Sequence, residues 1–179
     1  MVSQFTILDQ LKTLIDHEIE AAKSGMEARI ILKLNNIEDP KMIRRLYEAA
    51  RAGVEVILIV RAICCILPER NLEIRRIVDR YLEHSRIYHF FNGGKPKMYQ
   101  GSADWMRRNL YRRIEVVFPV VDDAVRNQVE EMLRIQLADN VKATLIIKNG
   151  RNKEINKTGD LVQAQRATYA YLGNSEART

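Results

Sequence analysis

Arg61 ends a run of seven residues, 54–60, in which Glu55 is the only charge. A guanidinium so close to an apolar segment calls for a specific anionic partner, and its planar fork matches phosphate or carboxylate oxygens. His84 and Arg86 are two residues apart, so on an extended chain they share a face. An imidazole there suits proton transfer or phosphate contact near neutral pH. A lone histidine is more often structural, and His17 and His89 are read that way. Lys33, Asn35 and Asn36 fall at or just past the end of a strand-like run. Taken singly they read as ordinary strand-end and loop residues. Between Arg86 and Arg113 lie Lys95, Lys97, Arg107, Arg108 and Arg112, interleaved with Tyr99, Trp105 and Tyr111. Such spacing allows base stacking, but a solvated face with a few core aromatics is the preferred reading.

The elements that must position these groups follow from periodicity. Leu8, Leu11, Ile15 and Ile19 predict a helix over 6–22, with Thr6 as its cap. Residues 28–34 read as a strand, Asp39 and Pro40 open a second helix, Gly53 stops it, and 54–60 is a buried strand. A strand–helix–strand unit makes the two strands parallel. Residues 71–83 are expected to form a third helix, and 86–91 and 97–101 a hairpin around Asn92-Gly93-Gly94. A strand is expected over 112–120, a helix from Asp122 or Asp123 to 137, a strand over 142–148, a loop over 149–159 and a last helix capped by Asp160. The fold class is α/β, a mixed β-sheet flanked by helices, in a single domain over 1–179.

Ligands of open α/β sheets bind beyond the carboxyl ends of parallel strands. If strand 86–91 is antiparallel to the first two, His84 returns to the edge that holds Asn36 and Arg61. Strand 97–101 then delivers Ser102 and Asp104 there, and strand 112–120 starts there with Arg112 and Arg113.

Composition narrows the chemistry. The 179 residues carry a net charge of +6, with 46% hydrophobic and 29% charged side chains. That balance favours anionic partners without choosing among them. The two cysteines, Cys64 and Cys65, are adjacent, which excludes a disulfide framework or zinc spacing and points to a reducing compartment. No signal peptide is expected, and the apolar stretch 54–67 is too short and too charged for the ~20 residues of a membrane span. No GxxxxGK[ST], GxGxxG or GxSxG motif occurs.

Several longer stretches resemble one family. Ile31-Leu32-Lys33-Leu34-Asn35-Asn36, Leu58-Ile59-Val60-Arg61-Ala62-Ile63-Cys64-Cys65, Leu82-Glu83-His84-Ser85-Arg86-Ile87-Tyr88 and Gly101-Ser102-Ala103-Asp104-Trp105-Met106 resemble the long-form polyphosphate kinases. Arg112-Arg113-Ile114-Glu115-Val116 and Leu137-Ala138-Asp139-Asn140-Val141-Lys142-Ala143 continue the match, which runs in order from Phe5 to Leu172. The chain looks like the last of four domains, the second of two with a phospholipase-D-like fold. Against the HxK and GSxN patterns of phospholipase D, Arg86 takes the lysine's place and Asp104 the asparagine's; Phe91 stands where HxKxxxxD has its aspartate. Two departures from the kinases stand out: the segment after Cys65 is short and lacks glycines, and Arg107 replaces a usual proline.

The resemblance implies reversible transfer of the terminal phosphate of ATP to inorganic polyphosphate, through a phosphohistidine on a preceding domain. ATP and ADP are then substrates. Magnesium is held by ligands outside this chain, and no metal site is read within it. Arg61 matches the ATP-contacting arginine and His84 the second catalytic histidine, also at the ATP. Arg86, Arg112, Arg113, Lys33 and Asn36 are weaker phosphate or polyphosphate candidates. Implied partners are polyphosphate, ATP and the preceding domains, with a homo-oligomer in the full enzyme. Cytoplasmic localisation is expected, membrane association of the full enzyme staying open. The isolated chain is expected to be inactive. Two other readings stay open: a phospholipase-D-like phosphodiesterase with His84 as nucleophile, and a non-catalytic module binding anions or nucleic acid.

Overall fold

Ile7, Leu11, Leu14, Ile15 and Ile19 recur at three- and four-residue spacing and form the buried face of helix α1 (Ile7–Lys23) in the computed structural model, which describes residues 1–176, with side chains through Gly173. Thr6 makes no side-chain cap; its hydroxyl instead accepts from the Val2 amide at 2.9 Å. Strand β1 (Arg29–Leu34) follows, then α2 (Pro40–Ala52) and β2 (Glu55–Val60). The start of α2 is fixed as its sequence predicts. Asp39 accepts from the amides of Lys41 and Met42, Pro40 occupies the first turn, and Gly53 ends the helix at φ 106°. β1 and β2 are parallel, with Arg29 opposite Glu55 and Leu34 opposite Val60.

The expected helix over 71–83 is instead strand β3 (Leu72–Ile77), parallel to β2. Leu72 and Ile74 are buried while Glu73 and Arg75, each next in the chain, are half-buried, an alternation too short to outweigh the helical spacing of the apolar residues that follow. The segment joining β2 to β3 carries no helix. Cys65 N donates to Ile37 O, and Leu67 exchanges hydrogen bonds with the Tyr47 hydroxyl, so the short connection lies against α2.

β4 (Ile87–Phe90) is antiparallel to β1, and β5 (Lys97–Gly101) to β4, around the Asn92–Gly94 turn. The strand expected over 112–120 is short: a helical turn α3 (Arg107–Tyr111) precedes β6 (Val117–Pro119). Residues 113–115 meet the N-terminus rather than β5, while the backbone of Val116 bonds Ser102, just past the end of β5. Ser3 N donates to Glu115 O, Glu115 N to the Ser3 hydroxyl, and Val2 bridges to Val116. α4 (Asp123–Ala138) is capped by Asp122, and β7 (Ala143–Ile146) pairs antiparallel with β3. The segment read as a loop contains edge strand β8 (Asn152–Glu154). Asp160 does not cap the last helix. α5 (Ala164–Glu176) begins later, where Asp139 Oδ2 accepts from Ala164 N at 2.7 Å.

The result is an α/β fold with one mixed sheet in the order β6-β5-β4-β1-β2-β3-β7-β8. Ile30, Leu32 and Leu34 of β1 pack with α1 and α2 on one face, and Ile31 joins the cluster under α4 and α5 on the other. This topology gathers the ends of β1, β2, β3 and β5 and the starts of β4, β6 and β7 at one edge. β3 and β4 are separated in the sheet by β2 and β1, so segment 78–86 crosses that edge.

Gly101 closes β5 opposite Val117, where a Cβ would lie 2.4 Å from Val116 O and 2.8 Å from Val117 Cα. These backbone atoms of Val116 and Val117 cannot yield as a side chain can. Gly101→Ala is expected to destabilise the fold by about 1–3 kcal/mol, read as a lower denaturant midpoint; an unchanged midpoint would show that the edge strand adjusts freely.

Candidate functional site

The carboxylate of Asp104 is 2% exposed and lies where three strands meet. From the end of β1 it receives Asn35 N at 2.9 Å, Asn36 N at 3.2 Å and Asn36 Nδ2 at 2.8 Å. From the start of β4 it receives Arg86 through Nε and Nη2, each at 3.2 Å. Burial alone would raise the Asp104 carboxyl. Hydrogen bonds from Arg86, Asn36 and the Asn35 amide, with the Arg86 charge, outweigh it and hold the group below the usual carboxylate range.

Both candidate functional groups hang from this arrangement. Asn35 Oδ1 accepts from Arg61 Nε at 2.9 Å, so the amide side chain orients the guanidinium. Asn35 is itself 1% exposed, and its Nδ2 has no partner among the described residues. On the other side, Arg86 Nη1 donates to the His84 carbonyl at 2.9 Å. The Nη groups of Arg61 and the imidazole of His84 have no partner among the described residues, and His84 is exposed. One carboxylate thus links two groups able to act on phosphate, a fork-shaped cation and a proton carrier, at one sheet edge.

The other expected site residues divide. Asn36 uses both ends of its amide, donating to Asp104 and accepting from Ile63 N at 3.1 Å. Arg86 is committed to Asp104 and the His84 carbonyl. Lys33 is 6% exposed, and its Nζ lies 2.7 Å from Glu83 Oε2. These three build the edge, with their polar groups taken up by protein partners. Arg112 and Arg113 fall in the exposed turn after α3, not on a strand, and their guanidiniums have no ionic partner among the described residues. Trp105 is fully buried against Tyr88, so it cannot stack a base. His89 is 8% exposed on the sheet face beside Glu130, and burial pushes its imidazole down, toward a neutral core residue.

Sequence reading missed Glu83, Gln136 and Gln165 as contributors. Glu83 adjoins His84, but nothing local signals that its carboxylate meets a buried lysine and two amides from distant elements. Among the described residues no three His, Cys, Asp or Glu side chains converge to hold a metal ion, and no helix is long and apolar enough to cross a membrane. A groove of about 620 Å³, lined by Glu55, Asn71, Glu73, Arg75 and Lys148 among others, includes neither Arg61 nor His84.

Residues 1–165 match the family described as polyphosphate kinase C-terminal domain 2. The chain belongs to this family. The chain is 42% identical over 173 residues to the polyphosphate kinase of Pseudomonas aeruginosa, covering 94% of the chain and 25% of that protein. It is 41% identical over 177 residues to that of Thermosynechococcus vestitus, covering 96% and 24%. The chain therefore spans about a quarter of the length of the curated relatives it matches. Among solved structures, the polyphosphate kinase of Porphyromonas gingivalis superposes with a TM-score of 0.97 at 44% identity, over 100% of this chain and 28% of that one. Nuc of Salmonella typhimurium, a phospholipase D family member, superposes with a TM-score of 0.53 at 13% identity, over 86% of this chain and 97% of that one. That likeness concerns the fold alone and marks the polyphosphate kinase domain as phospholipase-D-like in architecture.

Removing one partner of a buried ion pair leaves a stranded charge and typically costs about 3–5 kcal/mol. Asp104→Ala is expected to lower stability by that order at pH 7. The Asp104 carboxyl lies below its unfolded value of about 3.9, so its contribution is fully present above that pH and is lost as pH falls through the lower folded value. Urea unfolding of both proteins at pH 7 and pH 3 should show the gap narrowing in acid; a gap independent of pH would contradict the ion-pair account.

Proposed function

We propose that the chain, as one domain over residues 1–179, serves a polyphosphate kinase that reversibly transfers the terminal phosphate of ATP to inorganic polyphosphate, through a phosphohistidine supplied by another domain. The observation that carries this reading is that the Arg61 Nη groups and the His84 imidazole, both without partners among the described residues, are tied to one carboxylate. Phosphoryl transfer needs positioning and neutralisation of spreading charge more than covalent work by every residue. The Arg61 fork binds oxygens of the ATP phosphates, with Asn35 Nδ2 as a further donor beside it. His84 stabilises charge on the transferred group or carries a proton beside the phosphohistidine. Arg112 and Arg113, exposed near the same edge, guide the polyphosphate chain.

Magnesium, bound with ATP in the full enzyme, would supply neutralisation of the phosphate charge. The described residues of this chain offer it no ligand cluster, so no step here depends on it.

Exposed apolar side chains flank the edge: Ile63 at 47%, Val78 at 61%, Leu82 at 70% and Ile114 at 82%. Such a ring around polar groups suits a surface covered in the assembled molecule, and it supports docking of the preceding domains here, in a cytoplasmic, homo-oligomeric enzyme. A phosphodiesterase with His84 as nucleophile is disfavoured, because the position of the HxK lysine is an arginine locked to Asp104.

Incubated with labelled ATP and magnesium, the isolated chain is expected to take up no acid-labile phosphate and to make no polyphosphate; either product would contradict the division of labour. In the full-length enzyme, folded Arg61→Ala and His84→Ala variants should each lose about a hundredfold or more in turnover. Lys23→Ala, at the exposed end of α1, should turn over normally. Near-normal synthesis and reverse reaction in the first two variants would overturn the assignment.

A further inference from the structure

The imidazole of His84 has no partner of its own among the described residues, so its place is set by what holds the chain on either side. After it stands Arg86, fixed to Asp104. Before it stands Glu83, whose carboxylate collects three donors from three elements. Oε2 receives Lys33 Nζ of β1 at 2.7 Å and Gln136 Nε2 of α4 at 2.8 Å, and Oε1 receives Gln165 Nε2 of α5 at 3.2 Å. Gln165 also grips the backbone two residues earlier, accepting from Tyr81 N at 2.9 Å and donating to Tyr81 O at 2.8 Å. Gln163 donates to Asp79 at 2.7 Å. Segment 78–86, otherwise without regular structure, is thereby clamped to the central strand and to the start of α5.

We infer that Glu83 is a positioning residue for the reaction: together with Lys33, Gln136 and Gln165 it fixes the backbone from which His84 reaches the transferred phosphoryl group. The inference rests on the reading of His84 given above. Lys33 and Glu83 have side chains only 7% and 21% exposed. A buried pair of this kind is a poor source of stability compared with apolar side chains of similar size, while removing one partner alone strands a charge. Its position at the base of an exposed imidazole that lacks a partner among the described residues fits a role in placement. Displacement of a catalytic group by about 1 Å can cost on the order of a hundredfold in rate.

The test uses the full-length enzyme and measures kcat, KM for ATP and melting temperature for four variants: Glu83→Ala, His84→Ala, Glu83→Ala with His84→Ala, and Lys33→Met with Glu83→Leu. Glu83→Ala should lower kcat by about 10- to 100-fold with KM for ATP unchanged. In the His84→Ala background the same change should lower kcat no further, since it acts through the missing imidazole. The neutral pair Lys33→Met/Glu83→Leu should regain melting temperature but not kcat, and it carries the test if Glu83→Ala does not fold. Recovery of kcat together with melting temperature, or losses that multiply with His84→Ala, would overturn the positioning role and leave His84 untouched. Normal turnover in His84→Ala would overturn the reading of His84 and this inference with it.

Discussion

A single buried carboxylate organises the functional edge. Asp104 follows β5, yet its oxygens bind the backbone at the end of β1 and the guanidinium at the start of β4. Parallel and antiparallel strands are thereby joined at the point where the sheet gives way to loops. Such an ion must be surrounded by donors to remain charged in the interior, and five contacts from Asn35, Asn36 and Arg86 meet that need. The same donors then lead outward, through the Asn35 side chain to Arg61 and through Arg86 to the carbonyl of His84. The two groups assigned to phosphate chemistry therefore inherit their geometry from a residue with no need to touch substrate.

This arrangement modifies the phospholipase-D-like frame at two positions. Arginine in place of the HxK lysine and aspartate in place of the GSxN asparagine form a pair with side chains 11% and 3% exposed. A lysine and an asparagine would leave a free cation at the edge; the arginine–aspartate pair neutralises it and makes it structural. Arg61 then keeps an uncompensated positive charge, as do Arg112 and Arg113 nearby, while His84 stands beside the paired Arg86. Such an edge fits the proposed receipt of a phosphoryl group carried by another domain.

Much of this was legible in the sequence. The β1–α2–β2 unit could be read because Asp39, Pro40 and Gly53 mark the helix ends and the strands are continuous apolar runs. The choice of an antiparallel 86–91 strand, made to gather polar residues at one edge, matches the register of Ile30 with Phe90 and Lys33 with Ile87. Residues 72–77 misled because a short strand with two central arginines carries little alternation, and its pairing with β2 and β7 is set by tertiary contacts. Residues 113–116 misled because Arg113 and Glu115 satisfy backbone groups through Ser3, a long-range partnership with no local signature. The site was half legible. Arg61 and His84 stood out by type and place, whereas the roles of Asp104 and Glu83 depend on partners far away in sequence, and Lys33, a weaker phosphate candidate by sequence, has its charge taken up by Glu83.

The most direct test of the central claim is the effect of Asp104→Asn in the full-length enzyme on ATP affinity and turnover, measured together in protein of verified fold. Asparagine keeps the size of the side chain and removes the charge that holds Arg86 and the Asn35 and Asn36 amides. If Asp104 sets the geometry of both Arg61 and His84, ATP binding should weaken and kcat should fall in the same variant, each by about tenfold or more. A folded Asp104→Asn enzyme with ordinary ATP affinity and ordinary turnover would contradict the account.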